Sequence, residues 1–98
     1  MIDVTSKSFR KEVMEAEEPV LLDFWAPWYP PCRGYSSIVA RAAGKMKLCR
    51  VNVDDEPELA AAFHISTVPT VTLMRDGMVI DERAGICSEE ELKKLVVR

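Results

Sequence analysis

The stretch Val20-Leu-Leu-Asp-Phe-Trp-Ala-Pro-Trp-Tyr-Pro-Pro-Cys-Arg33 decides the fold of this chain. Its first six residues are apolar except for Asp23, which is the pattern of a strand covered on both faces. Pro30 and Pro31 then suit the first turn of a helix, where a missing N–H group costs no hydrogen bond. The stretch therefore predicts a buried strand that leads, through a short aromatic segment, into a helix.

The rest of the chain alternates between strand and helix patterns. Asp76-Gly77 is a strong signal for a two-residue hairpin turn, and Ser88 followed by Glu91 forms a capping box that opens a helix. The predicted element order is β-α-β-α-β-α-β-β-α, which belongs to the α/β class. No linker or repeat interrupts it, so residues 1–98 are expected to form a single domain. The patterns predict strands at residues 2–5, 20–25, 48–54, 68–74 and 78–83, and helices at 8–16, 31–45, 57–63 and 89–96.

Composition excludes several classes of function. The chain has 98 residues, of which 48% are hydrophobic and 30% charged, and its net charge of −3 argues against a nucleic-acid partner. No window approaches the roughly 18 apolar residues that a membrane span requires. Residues 1–8 contain no apolar signal segment, so cytoplasmic residence is expected. The three cysteines form neither a Cys-x-x-Cys pair nor a zinc-ligand spacing, so no metal and no cofactor is predicted.

Several motifs in this order resemble the thioredoxin family over essentially the whole chain. They are the Trp25–Arg33 run, Asn52-Val-Asp54, Ile65-Ser-Thr-Val-Pro-Thr70, Asp76-Gly77 and Gly85. The resemblance implies the thioredoxin fold, in which a central mixed β-sheet is flanked by helices. It also implies a cis peptide bond in the Val-Pro turn of the third motif.

The active-site motif departs from the family pattern. Members of the family carry Trp-Cys-Gly-Pro-Cys, whereas this chain has Trp28 followed by Tyr29, Pro30, Pro31 and Cys32. Disulfide exchange begins with attack by a thiolate, and a phenol with a pKa near 10 is neutral at pH 7. Because tyrosine replaces the attacking cysteine, we expect two-cysteine disulfide reduction to be absent or impaired.

Two residues are the candidates for catalysis, and each has a second interpretation. Cys32 occupies the position of the family's resolving thiol, so it is either a monothiol that forms mixed disulfides or an inert buried cysteine. Asp23 matches the buried aspartate that assists proton transfer in the family. Alternatively, Asp23 is a structural acid paired with Arg50. Cys49 is expected in the core, and a bridge between Cys32 and Cys87 is a minor possibility.

The resemblance also implies a surface that receives an extended substrate segment. The backbone before the cis proline can pair with such a segment as an added strand. Trp25 is either part of this rim or a packing residue. The residues predicted to bind substrate are Trp28, Tyr29, Pro30, Val68, Pro69 and Gly85.

Three hypotheses for function follow. The first is a thioredoxin-like thiol-disulfide oxidoreductase family member that acts with protein or peptide thiol and disulfide partners, with monothiol chemistry at Cys32. The second is a redox-inactive module that binds a peptide in the groove around Trp28, Tyr29 and Pro69. The third is that Tyr29 is a deliberate or accidental change to an otherwise active protein. A monomer with no membrane partner is expected in each case.

Overall fold

A mixed five-stranded sheet forms the centre of the molecule, as a computed structural model that describes residues 1–97 shows. The strand order is β1-β3-β2-β4-β5, in which β1 and β2 run parallel to β3, and β4 runs antiparallel to both β2 and β5. The predicted α/β class and mixed sheet are confirmed. The strands are β1 (Ile2–Asp3), β2 (Val20–Trp25), β3 (Lys47–Asn52), β4 (Thr70–Arg75) and β5 (Met78–Ala84).

Helices cover both faces of the sheet. A π-helical turn and α2 lie over one face, and α1 and α3 pack over the other. None of the helices in the described part of the chain is long and apolar enough to cross a membrane. The helical segments are the π-helical turn Arg10–Met14, α1 (Pro31–Ala43), α2 (Pro57–Ala62) and α3 (Glu89–Val96).

Strand β2 lies at the centre of the sheet, and its side chains alternate between two hydrophobic cores. Leu21 belongs to the core beneath α1 and α3, whereas Leu22 and Phe24 belong to the core beneath the π-helical turn and α2. All three side chains are fully buried, which explains the nearly continuous apolar run. Because side chains two residues apart share a face, Asp23 lies on the same face as Leu21, beneath α1.

Local chemistry shortens several elements relative to the sequence prediction. The first helix is reduced to the π-helical turn Arg10–Met14, which follows a turn in which the Thr5 carbonyl accepts the N–H groups of Ser8 and Phe9. Helix α1 ends at Ala43, where Gly44 adopts a φ of 60°. The Ser88 hydroxyl accepts the Glu91 N–H group at 3.2 Å, as the capping box predicts.

The hairpin between β4 and β5 matches its sequence signal. Asp76 and Gly77 have φ angles of 53° and 76°, so both central residues of the turn are left-handed. Aspartate and glycine are the residues that tolerate this conformation, and such a turn matches the natural twist of the two strands.

Candidate functional site

The site lies in the short loop between the end of β2 and the start of α1. The Tyr29 N–H group donates to the Ala26 carbonyl at 3.3 Å, and the Cys32 N–H group donates to the Tyr29 carbonyl at 3.0 Å. These two bonds turn the chain sharply, so Trp28 projects into solvent with 65% of its surface exposed, while Tyr29 is half-buried. Pro30 is exposed at the cap position of α1 and contributes no N–H group to this turn.

Cys32 points into the protein. Only 1% of its surface is exposed. Burial raises the pKa of the Cys32 thiol, the nearby Ala26 backbone lowers it in part, and the negative charge of Asp23 raises it further. The position at a helix N-terminus would by itself favour the thiolate, but desolvation outweighs it here. Cys32 is therefore a shielded, neutral thiol at pH 7.

Asp23 is a fully buried carboxyl group beneath Cys32. Burial raises its pKa from 3.8 to about 6, against the opposing effects of the Arg50 charge and a hydrogen bond from Ser36. The Ser36 hydroxyl lies 3.4 Å from Oδ2 of Asp23 and 3.1 Å from the Cys32 carbonyl oxygen. Among the described residues, none donates a hydrogen bond to the other oxygen, Oδ1. Asp23 is thus able to exchange a proton near neutral pH.

Arg50 lies opposite Asp23 in the sheet and its charge lowers the pKa of that carboxyl group, but its ion pair is with Asp3. Arg50 donates from Nε to Oδ1 of Asp3 at 3.1 Å, and its guanidinium group lies 4.4 Å from the ring centroid of Trp25. Asp3 is exposed at the edge of the sheet, so this contact leaves the guanidinium partly in water. A direct contact with the buried Asp23 would require removing both charges from solvent, which is costly. Trp25 accordingly packs under Arg50 and does not line the groove described next.

An apolar groove of about 380 Å³ lies beside the exposed Trp28 ring. The centroids of the Trp28 and Tyr29 rings are 6.1 Å apart, and the Trp28 Nε1–H group donates to Oδ1 of Asp54 at 3.2 Å. Of the residues predicted to bind substrate, the structure brings three into the groove and leaves Pro30, Pro69 and Gly85 outside its lining. The groove is lined by Trp28, Tyr29, Val53, Ile65, Ser66, Thr67 and Val68.

Pro69 and Gly85 support the wall of this groove from behind. The Val68–Pro69 peptide bond is cis, and Pro69 itself is buried. The Gly85 N–H group donates to the Pro69 carbonyl at 2.8 Å, with Gly85 at a φ of 80° that favours glycine. The Thr70 hydroxyl donates to the Thr67 carbonyl at 2.6 Å. These bonds fix the carbonyl groups of Thr67 and Pro69, on either side of Val68.

Sequence reasoning missed three residues that shape the site. Ser36 lies one helical turn after Cys32, so the i, i+4 spacing would have placed its hydroxyl beside Cys32, whereas its contact with Asp23 depends on how α1 packs over β2. Asp54 was part of a recognised motif, but its bond to Trp28 depends on the fold. Tyr35 is buried, and its hydroxyl accepts the Cys87 N–H group at 3.1 Å; burial raises the pKa of Tyr35 to about 12.

The other two cysteines, Cys49 and Cys87, form no disulfide. All three cysteines are free thiols. Cys49 is fully buried in the core, as predicted, and burial raises its pKa. Cys87 is half-buried, with its thiol 3.8 Å from the Gly85 carbonyl. Within residues 1–97, no group of three or more His, Cys, Asp or Glu side chains is arranged to hold a metal ion.

Comparison with known proteins agrees with this architecture. The sequence model of the family described as Thioredoxin matches residues 1–98. Thioredoxin 1 of Nostoc sp. is 36% identical over 95 residues, which cover 93% of this chain and 89% of the relative. The thioredoxin of Pseudomonas aeruginosa is 32% identical over 96 residues, which cover 94% and 89% of the two chains. The chain therefore belongs to the thioredoxin family, a family of thiol-disulfide oxidoreductases.

Proposed function

We propose that this protein binds extended polypeptide segments in the groove beside Trp28 and does not carry out the two-cysteine disulfide cycle. One observation carries the proposal: the groove is open, whereas the only motif thiol, Cys32, is 1% exposed. Tyr29 supplies an aromatic wall where the family has its attacking thiol. The site therefore offers a surface for partners but lacks the attacking thiol that would react with them.

Free backbone groups favour a polypeptide as the occupant. Within the described residues, the N–H groups of Ser66, Thr67 and Val68 have no intramolecular hydrogen-bond acceptor. A segment that adds to an exposed backbone edge gains main-chain hydrogen bonds, while neighbouring pockets select its side chains. The exposed Trp28 ring beside this edge offers apolar area for one such side chain.

A selection from a random peptide library tests the proposal. The immobilised protein is exposed to octapeptides displayed on phage, in parallel with the Cys32→Ser and Trp28→Ala variants. We expect the wild type and Cys32→Ser to enrich the same peptides, because the thiol does not line the groove, and Trp28→Ala to lose them. Absence of enrichment above Trp28→Ala would refute the proposal, as would peptides that require Cys32.

Monothiol chemistry at Cys32 is the competing function, and alkylation distinguishes it. The reduced native protein is treated with iodoacetamide across a pH series, and each cysteine is followed by peptide mass spectrometry. Because Cys32 is buried and burial raises its pKa, we expect Cys87 to react first and Cys32 only on unfolding. Rapid labelling of Cys32 below pH 7 would instead establish an accessible thiolate and favour mixed-disulfide chemistry.

A further inference from the structure

An acidic segment borders the groove. Val53 lines the groove, and the residues that follow it include Asp54, Asp55, Glu56 and Glu58. The segment is fixed rather than loose, because the side-chain oxygen of Asn52 accepts the N–H groups of Asp54 and Asp55 at 2.9 and 3.4 Å. The carboxylate of Asp54 is also hydrogen-bonded to the Trp28 ring. Asp54 therefore holds a negative charge beside the groove, whereas Asp55 and Glu56 line the neighbouring cavity around Arg50.

These four acids have no basic partner of their own. Among residues 1–97, none of Asp54, Asp55, Glu56 and Glu58 forms an ion pair, whereas Asp3, Glu12, Glu89 and Glu91 each do. Arg50 is engaged by Asp3 and Trp25. His64 precedes the groove residue Ile65 and Arg33 lies in the first turn of α1; like the four acids, neither lines the groove itself. Beside Trp28, the carboxylate of Asp54 thus carries a negative charge that no ion pair within residues 1–97 neutralises.

Trp28 adds a second feature that favours a cation. Its ring is 65% exposed, and its N–H group donates to a carboxylate. The face of an aromatic ring attracts a lysine or arginine side chain above it, and this attraction is strongest for tryptophan. A cationic side chain can lie over this ring while its charge faces the acidic segment.

We infer that the preferred occupant of the groove is an extended polypeptide segment that places a lysine or arginine next to an apolar residue. The inference rests on the proposed function and names its partner class. The apolar residue contacts Tyr29 and Val68, and the segment's backbone accepts hydrogen bonds from free N–H groups within residues 66–68. The basic side chain lies over the face of the Trp28 ring, beside the carboxylate of Asp54.

The peptides selected by the wild-type protein test this inference directly. We expect lysine or arginine beside an apolar residue in the enriched peptides, well above the frequency in the starting library. A synthetic peptide from the selection is then titrated by fluorescence anisotropy against the wild type and against an Asp54→Asn, Asp55→Asn double variant. Since exposed ion pairs contribute only modestly to binding, we expect the double variant to bind about two- to tenfold more weakly.

A charge-matched variant provides the control. The double variant Glu17→Gln, Glu18→Gln also removes two negative charges. Both positions are exposed and precede the start of β2, at the end of the strand away from the groove, so the affinity should be unchanged. Binding by the wild type should also weaken as salt screens the exposed charges, with less effect on the Asp54, Asp55 variant. Enriched peptides without basic residues, or equal affinity for both double variants, would overturn the inference while leaving peptide binding intact. A selection with no enrichment would instead overturn the proposed function.

Discussion

Asp23→Asn should change how the stability of the protein depends on pH. The carboxyl group is fully buried, and its pKa rises from 3.8 to about 6, mainly because burial disfavours the charged form. The folded state therefore holds the proton more tightly than the unfolded chain does. This group stabilises the fold at low pH, and that stability is lost as the pH rises from below 3.8 through about 6.

The magnitude follows from the difference between the two pKa values. One pKa unit corresponds to about 1.4 kcal/mol, so the full effect is about 3 kcal/mol, of which about 2 kcal/mol falls between about pH 4 and about pH 7.5. Asparagine has nearly the same shape and does not titrate. The free energy of unfolding of Asp23→Asn, relative to the wild type, should therefore rise by about 2 kcal/mol over that interval.

Urea denaturation, followed by tryptophan fluorescence at each pH, measures this difference. Any constant cost of burying an amide cancels, because only the change with pH is compared. Glu90→Gln is the matched control, since Glu90 is exposed on α3 and its substitution should leave the pH profile unchanged. A relative stability of Asp23→Asn that stays flat, or falls, as the pH rises would refute the conclusion that burial controls this carboxyl group.

Three further changes test other parts of the structure. Ser36→Ala removes a hydrogen bond that lowers the pKa of Asp23, so the carboxyl group should titrate at a higher pH in carbon-13 NMR; an unchanged or lower pKa would contradict this. Tyr29→Cys should allow a disulfide with Cys32, because residues three apart at a helix start lie within the 7 Å or so that a bridge needs. Oxidation should then remove two thiols when the denatured protein is titrated with dithionitrobenzoate. An unchanged thiol count would show that the two prolines hold the sulfurs apart. Ser88→Ala should lower the free energy of unfolding, measured by urea denaturation, by about 1 kcal/mol, because α3 loses its cap. Substitution of the exposed Ser37 by alanine is the control and should not lower it; equal effects would argue against capping.

Sequence alone determined the architecture of this protein. The apolar run of β2, the paired prolines at the start of α1, the Asp76-Gly77 turn and the Ser88 cap each impose a local structure with few alternatives. The alternation of these elements then fixes the α/β class. The sequence also predicted that Tyr29 replaces the attacking thiol, because that prediction depends on the identity of a side chain within a motif and not on long-range contacts.

Tertiary structure decided the state of the side chains at the site. Asp23 and Cys32 are nine residues apart, and their shared burial depends on how α1 packs over β2. Arg50 forms its ion pair with the solvent-exposed Asp3, because a fully buried ion pair costs more desolvation, and acts on Asp23 only through its charge. The contact between Trp28 and Asp54 links residues 26 positions apart. Burial and long-range contacts determine the protonation of Asp23 and Cys32 and the partners of Arg50 and Trp28. Local patterns in a sequence encode neither burial nor long-range contacts.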